Sequence, residues 1–209
     1  MKKLVLFAFF SVLSYATLAN ANEAKATGDA EKGRALSAPC AACHGVDGNS
    51  TNPEWPKLAG QNESYLVKQL MEYRSDKRKN ASMNAMAKGI KSDQDVLDIA
   101  AYFANSNPKP GKATNKELVT LGEDIYRGGI VESGVAACSA CHGPTGSGNP
   151  AAKFPKVSGQ HAKYSVMQLK AFKSNERDND TGKMMRNLAK KMSTAQMEAV
   201  SEYMAGLRD

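Results

Sequence analysis

The feature that most constrains this chain of 209 residues is that it repeats itself. Cys40-Ala41-Ala42-Cys43-His44-Gly45 recurs as Cys138-Ser139-Ala140-Cys141-His142-Gly143. Downstream, Trp55-Pro56-Lys57-Leu58-Ala59-Gly60-Gln61 recurs as Phe154-Pro155-Lys156-Val157-Ser158-Gly159-Gln160. Tyr65, Gln69, Leu70 and Tyr73 are then matched by Tyr164, Gln168, Leu169 and Phe172 at the same internal spacing. A period of half the chain predicts two copies of one folding unit. Asn107-Pro108-Lys109-Pro110-Gly111-Lys112 cannot continue a helix and marks the boundary. The expected organisation is a first domain over 22–107, a linker over 108–113 and a second domain over 114–209. Domains this small gain little stability from side-chain burial alone, so each core calls for something besides side chains.

The periodicity inside each copy is helical. Val96, Ile99, Ala100 and Phe103 fall on one helix face behind Ser92-Asp93-Gln94-Asp95, which has the serine-x-x-acid form of a helix start. Val200, Tyr203, Met204 and Leu207 repeat the pattern behind Ser193-Thr194-Ala195-Gln196. An opening helix is expected in the second copy with Leu118, Leu121, Gly122 and Ile125 on one face, and a weaker one in the first around Ala30, Gly33 and Leu36. Nothing alternates with period two over a useful length, so the expected fold is all-α in two tandem domains.

All four cysteines and two of the three histidines lie in the Cys-x-x-Cys-His copies, a spacing that reads as covalent c-type haem attachment. Two thiols three residues apart lie along one helical turn, where they can add to the two vinyl groups of a haem. The adjoining histidine then falls beneath the iron. Cys40, Cys43, Cys138 and Cys141 are the expected thioether anchors of two haem c groups, and His44 and His142 the expected proximal ligands. A zinc site would join the two pairs, which sit in separate copies. A thioredoxin-like motif would want a βαβ setting and no histidine, and two plain disulfides would leave the repeated histidine unexplained. The low aromatic content, 7%, also fits cores partly filled by porphyrin.

Residues 1–21 read as a secretory signal peptide: Lys2-Lys3, an apolar run from Leu4 to Leu13, and Ala19-Asn20-Ala21 at the cleavage point. The run is too short for a membrane-spanning helix, which needs about 20 residues. Export from a bacterium predicts the periplasm, where thiols consumed as thioethers escape stray oxidation.

Whether haem iron carries electrons or binds a substrate depends on its sixth ligand. Counting back from the serines that open the last helices, Met83-Asn84-Ala85-Met86-Ala87-Lys88-Gly89-Ile90 aligns with Met185-Arg186-Asn187-Leu188-Ala189-Lys190-Lys191-Met192, with Lys91 as one extra residue in the first copy. Only this frame places a methionine at the same point in both, which makes Met83 and Met185 the expected axial ligands. Met86 and Met184 are the runners-up, and they face Leu188 and Ser82 in the alignment. His161, matched by Asn62, is expected to be a surface loop histidine.

With two Cys-x-x-Cys-His-Gly sites, the Pro-Lys-x-x-Gly-Gln segments and methionines before the last helices, the chain from Gly28 to Leu207 resembles the cytochrome c4 family of dihaem bacterial cytochromes. The resemblance implies two class I cytochrome c domains with haem edges facing each other. It implies an electron carrier rather than an enzyme, taking electrons from a quinol-oxidising bc-type complex to a terminal haem-copper oxidase, soluble or loosely membrane-associated, and monomeric. The alternative from the same paired-domain build is the cytochrome subunit of a flavoprotein dehydrogenase, such as a sulfide-oxidising flavocytochrome. A peroxidase would require an iron lacking methionine.

The formal charge of +7 includes Lys2 and Lys3; the remaining excess is all in residues 108–209. That asymmetry predicts a second domain that docks an acidic redox partner. Lysines dispersed among acids on an exported chain argue against nucleic acid. No paired carboxylates, nucleophile triad or phosphate-cradling loop is present to support catalysis, and Gly146-Ser147-Gly148-Asn149 reads as a turn.

Overall fold

The computed structural model describes residues 27–208; the expected signal peptide lies outside them. The first domain contains α1 (Ala30–Leu36), α2 (Ala41–His44), α3 (Glu63–Arg74), α4 (Ala81–Lys88) and α5 (Asp93–Asn105). The second repeats the order with α6 (Val119–Gly128), α7 (Ser139–His142), α8 (Ala162–Ser174), α9 (Met184–Ala189) and α10 (Thr194–Gly206). Among the described residues there is no strand, only two isolated bridges.

The closing helices start where the serines place them. Ser92 accepts from the N–H of Asp95 while the Asp95 carboxylate accepts from the N–H of Ser92, and Ser193 and Gln196 do the same. These reciprocal bonds satisfy N–H groups that no helical carbonyl can reach. Each opening helix crosses its closing helix so closely that only glycine fits. A Cβ on Gly33 would stand 1.9 Å from Asp98 O, and one on Gly122 would stand 2.1 Å from Ala199 O. The buried face of α6 is Gly122, Ile125 and Tyr126; Leu121, expected on that face, is 45% exposed because the crossing is centred on the glycine. On α5, Val96, Ile99, Ala100 and Phe103 are buried as expected, and on α10 Met197, Val200, Tyr203 and Met204.

The linker is held at both ends. Lys109 N–H donates to Asn49 Oδ1 at 2.7 Å, and Asn49 Nδ2 donates to Asn107 O at 2.9 Å. Thr114 and Asn115 N–H donate to the Glu202 carboxylate at 2.6 and 3.1 Å. The two domains are then locked by reciprocal bonds. Gln61 accepts from Lys156 N–H and donates to Lys156 O, while Gln160 accepts from Lys57 N–H and donates to Lys57 O, all at 2.8–2.9 Å. The repeated Gly-Gln segments thus serve as the interface, each copy binding the backbone of the other.

His161 belongs to this interface rather than to a free surface loop. It immediately precedes α8, and its Nε2 donates to Ser50 O of the first domain at 2.9 Å. Asn62, its counterpart, answers with donations to Ser147 O and Phe154 O of the second. With Nε2 committed to a carbonyl, His161 is not presented as an iron ligand.

Candidate haem sites

Each Cys-x-x-Cys-His segment forms a single helical turn closed by a glycine with positive φ, Gly45 at 79° and Gly143 at 78°. The turn places the two thiols one above the other, Cys40 and Cys138 against their domain cores and Cys43 and Cys141 outward. No disulfide joins any of the four. Burial pushes the Cys138 thiol up to about 11 and the Cys40 thiol upward as well.

The histidines are fixed in the same way in both copies. His44 Nδ1 lies 2.9 Å from Pro56 O and His142 Nδ1 lies 2.9 Å from Pro155 O. A carbonyl only accepts, so Nδ1 carries the proton and Nε2 is left with its lone pair. Burial holds both imidazoles below the ordinary histidine pKa, favouring the neutral form. Chain connectivity explains the match: Trp55-Pro56-Lys57 and Phe154-Pro155-Lys156 are pinned across the domain interface by the glutamines, which sets each proline carbonyl over its histidine.

Met83 is the third residue of α4, its N–H capped by Asn80 Oδ1 at 3.0 Å, and is half-buried. Met185, in the first turn of α9, is half-buried against the second core. Met86 and Met184 are 42% and 39% exposed. The second domain reaches its methionine through a tight turn at Thr181–Lys183, in which Gly182 and Lys183 both take positive φ. Ala87 and Ala189, matched by the sequence frame, are both fully buried. Half-buried apolar side chains pack against each core, Leu58, Leu70 and Ile90 in one domain and Ile130, Val157 and Leu188 in the other. A neutral imidazole with a free Nε2, paired thiols along one turn and an apolar surround together fit a covalently held haem in each domain.

Two helical domains, each organised around such a turn, define a c-type cytochrome with two haem-binding units. The family model described as cytochrome c matches residues 30–107 and again 130–208. Cytochrome c4 of Thiocapsa roseopersicina is 48% identical over 182 residues, covering 86% of this chain and 93% of that protein. The crystal structure of reduced recombinant cytochrome c4 from Pseudomonas stutzeri superposes with a TM-score of 0.84 at 45% identity, covering 87% of this chain and all of that one. A thiosulfate dehydrogenase electron acceptor from Thiomonas intermedia (strain K12) is 37% identical over 172 residues, covering 80% of this chain and 78% of that protein. The chain belongs to the cytochrome c4 family. It is a dihaem electron-transfer protein, not an enzyme, and its cysteine motifs fit two covalently bound haem c groups.

The repeat contained one further pair that motif reading passed over. Arg78 and Arg177 stand at the same offset as Tyr65 and Tyr164, and both enter the domain interface. Tyr126, whose hydroxyl donates to Gly143 O at 2.7 Å beside the second haem turn, gave no repeat signal, because the matching place in the first domain is Ser37.

Proposed function

We propose that this protein is a periplasmic one-electron shuttle between a quinol-oxidising bc-type complex and a terminal haem-copper oxidase. In this reading His44 and Met83 ligate the first iron and His142 and Met185 the second. The observation that carries it is the paired Nδ1–proline carbonyl bond, which leaves each Nε2 free for iron, in domains that each offer a half-buried methionine at the matching position. Haem iron supplies one-electron cycling when bound, and full coordination leaves no position for a substrate. The chain's part is to orient the imidazole, supply sulfur and keep water from the ring; no side chain has to move a proton. Histidine–methionine ligation raises the potential relative to bis-histidine ligation.

Spectroelectrochemistry of Met83→Ala and Met185→Ala tests the ligands. Each variant is expected to lose half of the sulfur-to-iron charge-transfer absorbance and to lower the potential of one haem. A variant with an unchanged spectrum removes that methionine from the assignment. Export is checked by the N-terminal sequence of the mature protein, expected to begin at Asn22. No helix among the described residues is long and apolar enough to cross a membrane.

A second reading, favoured by the likeness to a thiosulfate dehydrogenase electron acceptor, makes a dehydrogenase the donor. The two are separated by reduction kinetics with each donor. The basic excess of the second domain supports docking to an acidic partner face through that domain, so transfer to that partner is expected to slow as ionic strength rises.

A further inference from the structure

The two domains carry matching cations at one end and treat them differently. In the first, Arg74, the last residue of α3, pairs with Asp93 at the start of α5, and Lys88, the last residue of α4, pairs with Asp76 at 2.6 Å. The repeat keeps both cations in the second domain, as Lys173 near the end of α8 and Lys190 just after α9. It replaces both acids, with Asn175 standing for Asp76 and Thr194 for Asp93. The backbone hardly changes at the first exchange, with φ of 59° at Asp76 and 61° at Asn175, so charge is lost and shape is kept. A further cation, Lys191, then stands where the first domain has Gly89.

Among the described residues none of these three exposed lysines has a carboxylate within ion-pair distance. Lys173 Nζ donates to Met192 O at 2.6 Å and Lys191 Nζ to Gly134 O at 3.0 Å, bonds that fix the amino groups without neutralising them. Glu132 and Glu176, the acids next to this end in the chain, reach none of the three, and Glu198 lies 3.9 Å from Lys170. Paired surface charges cancel within a short distance, whereas unpaired ones project a field into solvent.

An exposed apolar side chain stands beside these lysines. The hairpin closed by the Ile130–Val135 bridge turns at Gly134, whose carbonyl accepts from Lys191, and carries Val131, which is 84% exposed. Ala136 and Ala137 alone separate the hairpin from Cys138, and Ile130 and Cys138 pack against the same core cluster. The patch therefore adjoins the second haem turn. We propose that Lys173, Lys190, Lys191 and Val131 form the surface on which an acidic face of a redox-partner protein docks. The proposal rests on the reading that the second domain meets such a partner, and adds which side of it does so. An apolar centre edged by charge is the make-up of a protein contact, the charges setting orientation and encounter rate. Amino groups already held by carbonyls lose little freedom on binding. A lipid surface would call for a broad apolar face, which one valine does not supply.

The test is stopped-flow electron transfer between the full-length dihaem protein and each of two purified complexes, the quinol-oxidising bc-type complex and the haem-copper oxidase. Asn175→Asp with Thr194→Asp restores the acids of the first domain and leaves every lysine in place. At low ionic strength this variant is expected to slow transfer with at least one complex about tenfold, and to match wild type at high salt. Lys190→Glu, whose parent side chain makes no bond among the described residues, is expected to slow the same transfer. Lys112→Gln with Lys116→Gln removes the same net charge elsewhere in the second domain and is expected to leave the rate nearly unchanged. If this control slows transfer as much as the two new acids, or if the acids have no effect, the surface is wrong while docking through the second domain stands. Wild-type rates that ignore salt would overturn both. Carbodiimide coupling to the responding complex is expected to link Lys173, Lys190 or Lys191 to a carboxylate of that complex, and links only to other lysines would reject the surface. Binding of wild type to phosphatidylglycerol vesicles that the two acids abolish, with transfer unchanged, would assign the patch to lipid and overturn the proposal.

Discussion

In the first domain Tyr102, on the closing helix, donates its hydroxyl to Val46 O at 2.6 Å; in the second, Tyr126, on the opening helix, donates to Gly143 O at 2.7 Å. Both bonds anchor the loop just after the haem turn, yet the residues are not equivalent. Tyr203, the match of Tyr102, packs instead against Tyr126 with ring centroids 5.4 Å apart. The entering chain shows the same pattern. Asp98 accepts from the N–H of Asp29 at 2.8 Å, and Glu202, at a different place on its helix, accepts from Thr114 and Asn115. The fold imposes the demand, and each copy meets it from whichever helix face has room for the side chain.

The cores differ too. Leu66, Ile99, Ala100 and Phe103 form the buried cluster of the first domain. The second adds Tyr126, Val135, Met192 and Met197, helped by an excursion over residues 129–137 that returns Val135 to the interior. The first domain passes directly from α1 through Ala38–Cys40 to its haem turn. Its smaller side-chain cluster is expected to make it the first half to open.

Phe103→Ala, which removes the largest member of that cluster, is expected to cost about 3–5 kcal/mol, and Met204→Ala at the matching position about 2–5 kcal/mol. Peptide-resolved hydrogen exchange should show the first domain opening before the second in wild type, and more so in Phe103→Ala. If the second domain opens first in wild type, the ranking of the cores is wrong.

Gln61→Ala and Gln160→Ala each remove a pair of hydrogen bonds to the backbone of the other domain. Each is expected to cost about 1–3 kcal/mol. Equal losses in denaturant unfolding would support a symmetric interface; an effect in only one variant would show that one copy carries the docking.

The smallest effect concerns acid. Asp47 is held down to about 2 by the backbone N–H of Asn49 and by Lys109 of the linker, while Thr145 occupies its place in the second domain. A depressed carboxylate stabilises above its unfolded value of about 3.9 and loses that contribution as pH falls toward its folded value. Half-exposed, the group contributes little. Exchange at the Asn49 and Lys109 amides should rise between pH 4 and 2 in wild type, with a flatter profile in Asp47→Asn.

Much of the architecture was legible because it is periodic. Serines three residues ahead of an acid or glutamine opened the last helices, apolar positions at helical spacing marked their buried faces, and a chemically specific spacing of thiols and histidine marked the haem turns. Leu121 misled because helix periodicity does not report where a crossing is centred. His161 misled because a lone histidine before a helix looks like a loop residue until the other domain is brought against it.

The sequence by itself determined the two copies, their helices and the covalent haem chemistry, since each rests on residues close together in the chain. Only the tertiary structure decided how the copies meet. The Gln61 and Gln160 clamps and the crossed arginines join residues far apart in sequence, and their energies exist only once two folded surfaces exclude water from between them.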